Sequence, residues 1–152
     1  MLKIILAALL CSAAAAQAAG PLPPKPPSNA PSAATAQHPV TGRWTWTLPV
    51  KSCTETLAYS AGTNGTRQGT SGEEVTQSRY EVSAMPSLLG FYRLTETVTQ
   101  SNGKRDCSGD LHEATGEPVT RFVQFSPQKD QLIVCKEESL QACFGPLKRV
   151  PK

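Results

Sequence analysis

Thr41–Tyr59, TGRWTWTLPVKSCTETLAY, is the stretch that decides the fold. Trp44, Trp46 and Leu48 fall two apart, so on an extended chain they share one face, and Arg43, Thr45 and Thr47 take the other. Pro49 stops the alternation, Cys53 follows, and Glu55, Leu57 and Tyr59 begin a second alternating run. The stretch reads as a strand, a tight corner and a returning strand, with a cysteine at the corner. Both tryptophans of the chain lie on the one face.

Downstream, the same pattern repeats in short segments separated by turn residues. Asn64-Gly65 carries the signal of a tight hairpin turn. Thr66–Ser71 is a polar strand candidate, and Gly72 with Glu73-Glu74 makes an acidic corner, read as solvated rather than as a carboxylate pair because sequence neighbours on a strand point apart. Tyr80, Val82 and Ala84 share a face of the next strand, and Met85–Gly90 is a turn. Phe91–Gln100 is the longest strand, with Tyr92, Leu94 and Val98 on one side and mainly threonines opposite. Turns are expected at Ser101–Gly103, at Gly116 and at Ser126–Asp130, with strands over Val119–Phe125 and Leu132–Lys136. Glu137–Ala142 reads as one helical turn, and Phe144–Val150 closes the chain.

About eight short strands with turns every 8 to 12 residues or so argue for an all-β fold. The expected architecture is a small antiparallel up-and-down barrel or sandwich, braced by disulfides. An up-and-down order follows because every connection is short.

Upstream of this region the chain changes character. Residues 1–19 have a lysine, a short apolar run and Ala16-Gln17-Ala18, the pattern of a secretory signal peptide. The apolar run is too short for a permanent membrane anchor, and no second long apolar segment follows, so no membrane span is expected. Cys11 leaves a lipid-modified cysteine open, although Leu10 stands where a small residue is wanted. Residues 20–39 hold Pro21, Pro23, Pro24, Pro26, Pro27, Pro31 and Pro39, and read as a disordered, polyproline-type tail. The folding region is then 40–152, one domain. The alanine-rich leader looks bacterial and places the protein in the periplasm or the medium.

The leader takes one cysteine with it. Cys53, Cys107, Cys135 and Cys143 remain, an even set that in an exported domain reads as two disulfides. No pair has the close spacing of a zinc site or a C-x-x-C redox motif. Alternating strand directions put Cys53 and Cys107 near one end and Cys135 and Cys143 near the other. Only the pairing Cys53–Cys107 with Cys135–Cys143 joins cysteines at the same end.

The whole chain has 15 Lys and Arg against 12 Asp and Glu, a net charge of +3. That bias is too weak to argue for nucleic acid, and 6% aromatics is too few for a base-stacking platform. His38 falls in the tail. His112 sits in Asp106–Glu113, where Asp106, Asp110 and His112 are the candidate metal ligands, set against a plain solvated loop. No phosphate loop, nucleophile elbow or metalloprotease motif occurs, so no catalytic residue and no cofactor is assigned. Trp44, Trp46, Leu57, Tyr59 and Tyr92 are expected inside, as core or as pocket lining.

Gly42-Arg43-Trp44 on the first strand, with Arg149 at the end of the last, resembles the lipocalin and wider calycin pattern. The resemblance implies a barrel in which the late arginine packs across the first tryptophan. It also implies a carrier of a small apolar ligand. The block from Cys135 to Arg149 is similar to small exported proteobacterial proteins of no assigned activity. Two functions therefore stand beside each other: a non-enzymatic envelope protein that binds a partner protein or acts as an inhibitor, and a lipocalin-like carrier. A dry, filled interior favours the first, and an apolar cavity of about 300 Å³ or more favours the second.

Overall fold

The computed structural model describes residues 37–49, 52–114 and 116–151. The expected signal peptide, Cys11 and most of the proline-rich tail lie outside the described residues. The folded region has eight strands: β1 (Gly42–Leu48), β2 (Cys53–Tyr59), β3 (Asn64–Ser71), β4 (Glu74–Val82), β5 (Tyr92–Ser101), β6 (Pro118–Phe125), β7 (Gln131–Cys135) and β8 (Cys143–Arg149). Each pairs antiparallel with the next, and β8 returns to β1 through Trp44↔Arg149 and Thr45↔Lys148. The result is a closed up-and-down barrel, an architecture compatible with a lipocalin-like fold.

Two-residue periodicity sets the faces. β4 is the clearest case: Glu74, Thr76, Ser78, Tyr80 and Val82 are buried, and every residue between them is exposed. Outward threonines pair across strands, Thr47 with Thr54 at 3.0 Å and Thr95 with Thr120 at 3.3 Å.

The barrel closes through that short β1–β8 pairing, and it has two different ends. At one end the β2–β3, β4–β5 and β6–β7 turns meet the incoming chain at His38–Thr41. This end is shut. Val40, Trp44, Tyr59, Tyr80, Val82, Leu94, Val123, Leu132, Val134 and Leu147 form the core, with Trp46, Leu57, Tyr92 and Phe125 packed against it. Trp44 is fully buried, and its indole Nε1 donates to the Val40 carbonyl at 2.8 Å. The Arg149 guanidinium lies 4.1 Å from the centre of the Trp44 ring. Its three nitrogens also donate to the carbonyls of Lys129 (2.7 Å), Thr41 (2.8 Å) and Pro39 (2.6 Å). One side chain therefore ties the entering strand, the β6–β7 turn and the last strand together. A lysine cannot reproduce that fork, so Arg149→Lys is expected to lower stability by about 2 kcal/mol, read from the urea midpoint. An unchanged midpoint would show that the guanidinium contacts contribute nothing.

The packed region reaches back into the segment read as tail. His38 is buried, accepts the Val40 N–H on Nδ1 at 3.1 Å, and stands edge-on to Tyr92 with ring centres 4.9 Å apart. Burial is the main reason its pKa is lowered from that of a free histidine.

Four local readings are corrected. Asn64-Gly65 is not a turn: both residues lie in β3, opposite Glu81 and Tyr80. The turn is made upstream by Ser60–Thr63, where Gly62 has φ of +101°. Gly65 is there because a Cβ would run into Ser60 Oγ and the Tyr80 ring. The Tyr80 hydroxyl uses that space to donate to the carbonyls of Ser60 (2.8 Å) and Gly62 (3.1 Å). Glu74 is not on a solvated corner but opens β4, only 8% exposed. Glu137–Ala142 forms bends rather than a helical turn.

The fourth correction moves a disulfide. No strand crosses the barrel between β5 and β6, and the connection holds only the isolated bridge Arg105↔Leu111 among its described residues. Strand directions after β5 are therefore opposite to those expected. Cys53 bonds Cys107 and Cys135 bonds Cys143, but both bridges lie at the same, second end of the barrel.

Candidate functional site

That second end is open. Here charged and polar side chains join the apolar ones at the inward positions. Glu55 and Leu57 come from β2, Arg67 and Gly69 from β3, and Glu74 and Thr76 from β4. Glu96 and Val98 come from β5, Val119 and Arg121 from β6, Val134 from β7 and Phe144 from β8. Together they line a cavity of about 360 Å³. It is neither a filled interior nor a purely apolar one.

Alternation explains each side chain. Glu96 faces inward because it lies between Leu94 and Val98 on the same face of β5. Arg67 faces it from β3, with Nε 3.3 Å from Glu96 Oε1, and the two side chains are 12% and 18% exposed. Arg67 also donates to Ser78 Oγ at 2.9 Å, and the Tyr59 hydroxyl donates to Glu96 at 2.8 Å. Glu96 is thus compensated by one charge and one hydroxyl, as a carboxylate inside a barrel must be. Burial, with the Glu96 charge second, pushes the Tyr59 hydroxyl well above its ordinary pKa, so it stays a donor. Gly69 makes room for Arg67: a Cβ there would come within 2.6 Å of its guanidinium and 2.8 Å of Thr76 Oγ1.

The long β5–β6 connection lies over the mouth and is fixed to the rim. The Cys53–Cys107 bond holds it, the Cys107 N–H donates to Ser71 Oγ at 3.0 Å, and Ser101 Oγ donates to the His112 carbonyl at 2.8 Å. Asp106 shapes this connection. Its Oδ1 accepts the N–H groups of both Ser108 and Asp110 at 2.8 Å. His112 reaches down from it, with Nδ1 3.3 Å from Glu74 Oε1 and 3.8 Å from Asp106 Oδ2.

The structure therefore separates the metal-ligand candidates. Asp106 and His112 come together, with Glu74 as their neighbour, while Asp110 meets Asp106 through its backbone. No group of three or more His, Cys, Asp or Glu among the described residues is arranged to hold a metal ion. Among the core-or-pocket candidates, Trp44 is fully buried core under Arg149, and Tyr59 belongs to the core and also lines the cavity, with its hydroxyl on Glu96. Tyr92 packs on Phe125 and His38 at the closed end. Leu57 lines the cavity, and Trp46 stacks at 5.7 Å on the cavity residue Phe144. The residues that sequence reasoning missed are Arg67, Glu74, Glu96 and Arg121. For Glu74, Glu96 and Arg121 the signal was present, since each falls in step with apolar residues already assigned to one face; Thr66–Ser71 has no apolar side chain to mark the face of Arg67.

No helix among the described residues is long and apolar enough to cross a membrane, and the two disulfides fit an oxidising compartment. Comparison with family models, with curated proteins and with solved structures finds no match for this chain.

Proposed function

We propose that the protein is an exported, non-enzymatic carrier with a lipocalin-like barrel, which takes a small ligand with an apolar body into its open half. The periplasm or the medium is the compartment that this reading gives it. The observation that carries the reading is the division of the interior: a packed aromatic half under Arg149, and an unfilled half of about 360 Å³. A barrel built only to be stable gains from filling its interior at both ends. The volume is at the lower end for ligand sites, so the ligand is compact.

The neutral dye N-phenyl-1-naphthylamine, bright in apolar surroundings, tests the reading. Its fluorescence is expected to rise on addition of the protein. Val98→Trp, which puts an indole into the cavity, is expected to weaken binding at least about tenfold. A dye that stays dark, or that binds the variant equally well, would exclude a carrier.

Binding to a partner protein is supported by a different place. The β4–β5 turn at the closed end exposes Met85 (76%), Leu88 (107%) and Leu89 (63%) to solvent. Native mass spectrometry of the protein taken from its own host separates the two: a retained small molecule supports the carrier, and a retained protein chain supports the partner.

A further inference from the structure

We propose that the ligand of the open-end cavity carries a positive charge, as an alkylamine does. The inference rests on the carrier reading and specifies what the cavity selects.

The chain as a whole is basic, at +3, yet its cavity is acidic. Six carboxylates line it, against two guanidinium groups and one imidazole. A concave, low-dielectric wall concentrates the field of such a set. The carboxylates are not equally engaged. Glu96 holds Arg67 and Tyr59, Glu55 accepts Ser71 Oγ at 2.8 Å, and Asp106 Oδ1 is used by two backbone N–H groups. Glu74 differs. Its side chain is 10% exposed, and Oε1 is buried without a hydrogen-bond partner among the described residues. The imidazole that approaches it belongs to His112, whose own side chain is 54% exposed and hangs from the mouth connection. A buried carboxylate oxygen with no hydrogen bond, faced among the described residues only by that exposed imidazole at 3.3 Å, is an acceptor that a ligand's donor can take over. A primary ammonium brings up to three N–H donors and the opposite charge. The same cavity is also lined by Leu57, Leu94, Val98 and Phe144, apolar side chains that can receive a short alkyl chain while the ammonium meets Glu74.

Three probes of equal chain length and different head test this: n-octylamine, n-octanol and octanoate, each displacing N-phenyl-1-naphthylamine. Octylamine is expected to bind at least about tenfold more tightly than octanol, and octanoate most weakly. Glu74→Gln is expected to remove most of the octylamine advantage and to leave octanol unchanged. Glu55→Gln serves as a second variant if Glu74→Gln does not fold, with a smaller loss in the same direction. His112→Gln, which removes the competing imidazole, is expected to keep or tighten octylamine binding. Equal affinities for the three heads, or a preference for octanoate through Arg121, would overturn the charge selection while leaving the carrier standing. Failure of the dye itself to bind would instead sink the carrier.

Discussion

Trp44→Ala is expected to destabilise the domain by about 3–5 kcal/mol, the range for truncating a fully buried aromatic side chain. The side chain is 0% exposed, so its whole volume becomes a cavity at the closed end. Two further losses act in the same direction. The Val40 carbonyl loses its 2.8 Å indole donor, and Arg149 loses the ring beneath it. A small domain has about 5–15 kcal/mol of net stability, so the melting temperature should fall by more than about 10 °C. Trp46→Ala is the internal comparison. It is only partly buried, against Phe144 at the open end, and its truncation should cost clearly less. Equal effects of the two substitutions would mean that the closed end is not the packed half of the barrel.

The second large effect concerns Cys53–Cys107. Its loop spans 54 residues, for which chain entropy alone gives about 4 kcal/mol of stabilisation. The Cys135–Cys143 loop spans 8 residues and gives about 2.5 kcal/mol. The double substitution Cys53→Ser/Cys107→Ser should therefore lower the urea midpoint more than Cys135→Ser/Cys143→Ser. It should also do something the shorter bridge cannot. The β5–β6 connection is held to the rim through Cys107, so its amide protons should exchange faster while those of β1 and β8 remain protected. A connection that stays equally protected without the bridge would show that Ser71 and Ser101 suffice to hold it.

Much of this fold was legible because alternation is a strong signal when one face of a strand is buried. The run Trp44-Thr45-Trp46 predicts β1, and Tyr92, Leu94 and Val98 predict the inward face of β5. Turn chemistry was less readable. Asn64-Gly65 has the composition of a hairpin turn, but the Tyr80 ring needs the space above Gly65, and Gly62 already makes the turn. The connection after β5 was the costliest misreading. Its turn residues look like two corners with a strand between them. Asp106 instead folds the segment on itself through two backbone N–H groups. Losing that one strand reverses every later direction, and this is why Cys135 and Cys143 sit beside Cys53 and Cys107 rather than opposite them.

The candidate site was less legible still, for a different reason. Charged residues are usually read as solvated, and Glu73-Glu74 looks like a surface corner. In a closed barrel every second residue faces inward whatever its chemistry. Glu74 and Glu96 therefore enter the interior by parity, and Arg67 with Tyr59 compensates Glu96 there. His38 shows the same limit at the other end. Its proline-rich neighbourhood reads as tail, but the Tyr92 ring and the Arg149 fork bring it into the packed end.

The most direct test of a barrel packed at one end and receptive at the other is a two-dimensional NMR titration of isotope-labelled protein with n-octylamine. Saturable shifts are expected at Leu57, Gly69, Glu74, Val98 and Phe144, with Val40, Trp44 and Leu147 unmoved. Shifts confined to Met85–Leu89, or spread evenly over both ends, would contradict it.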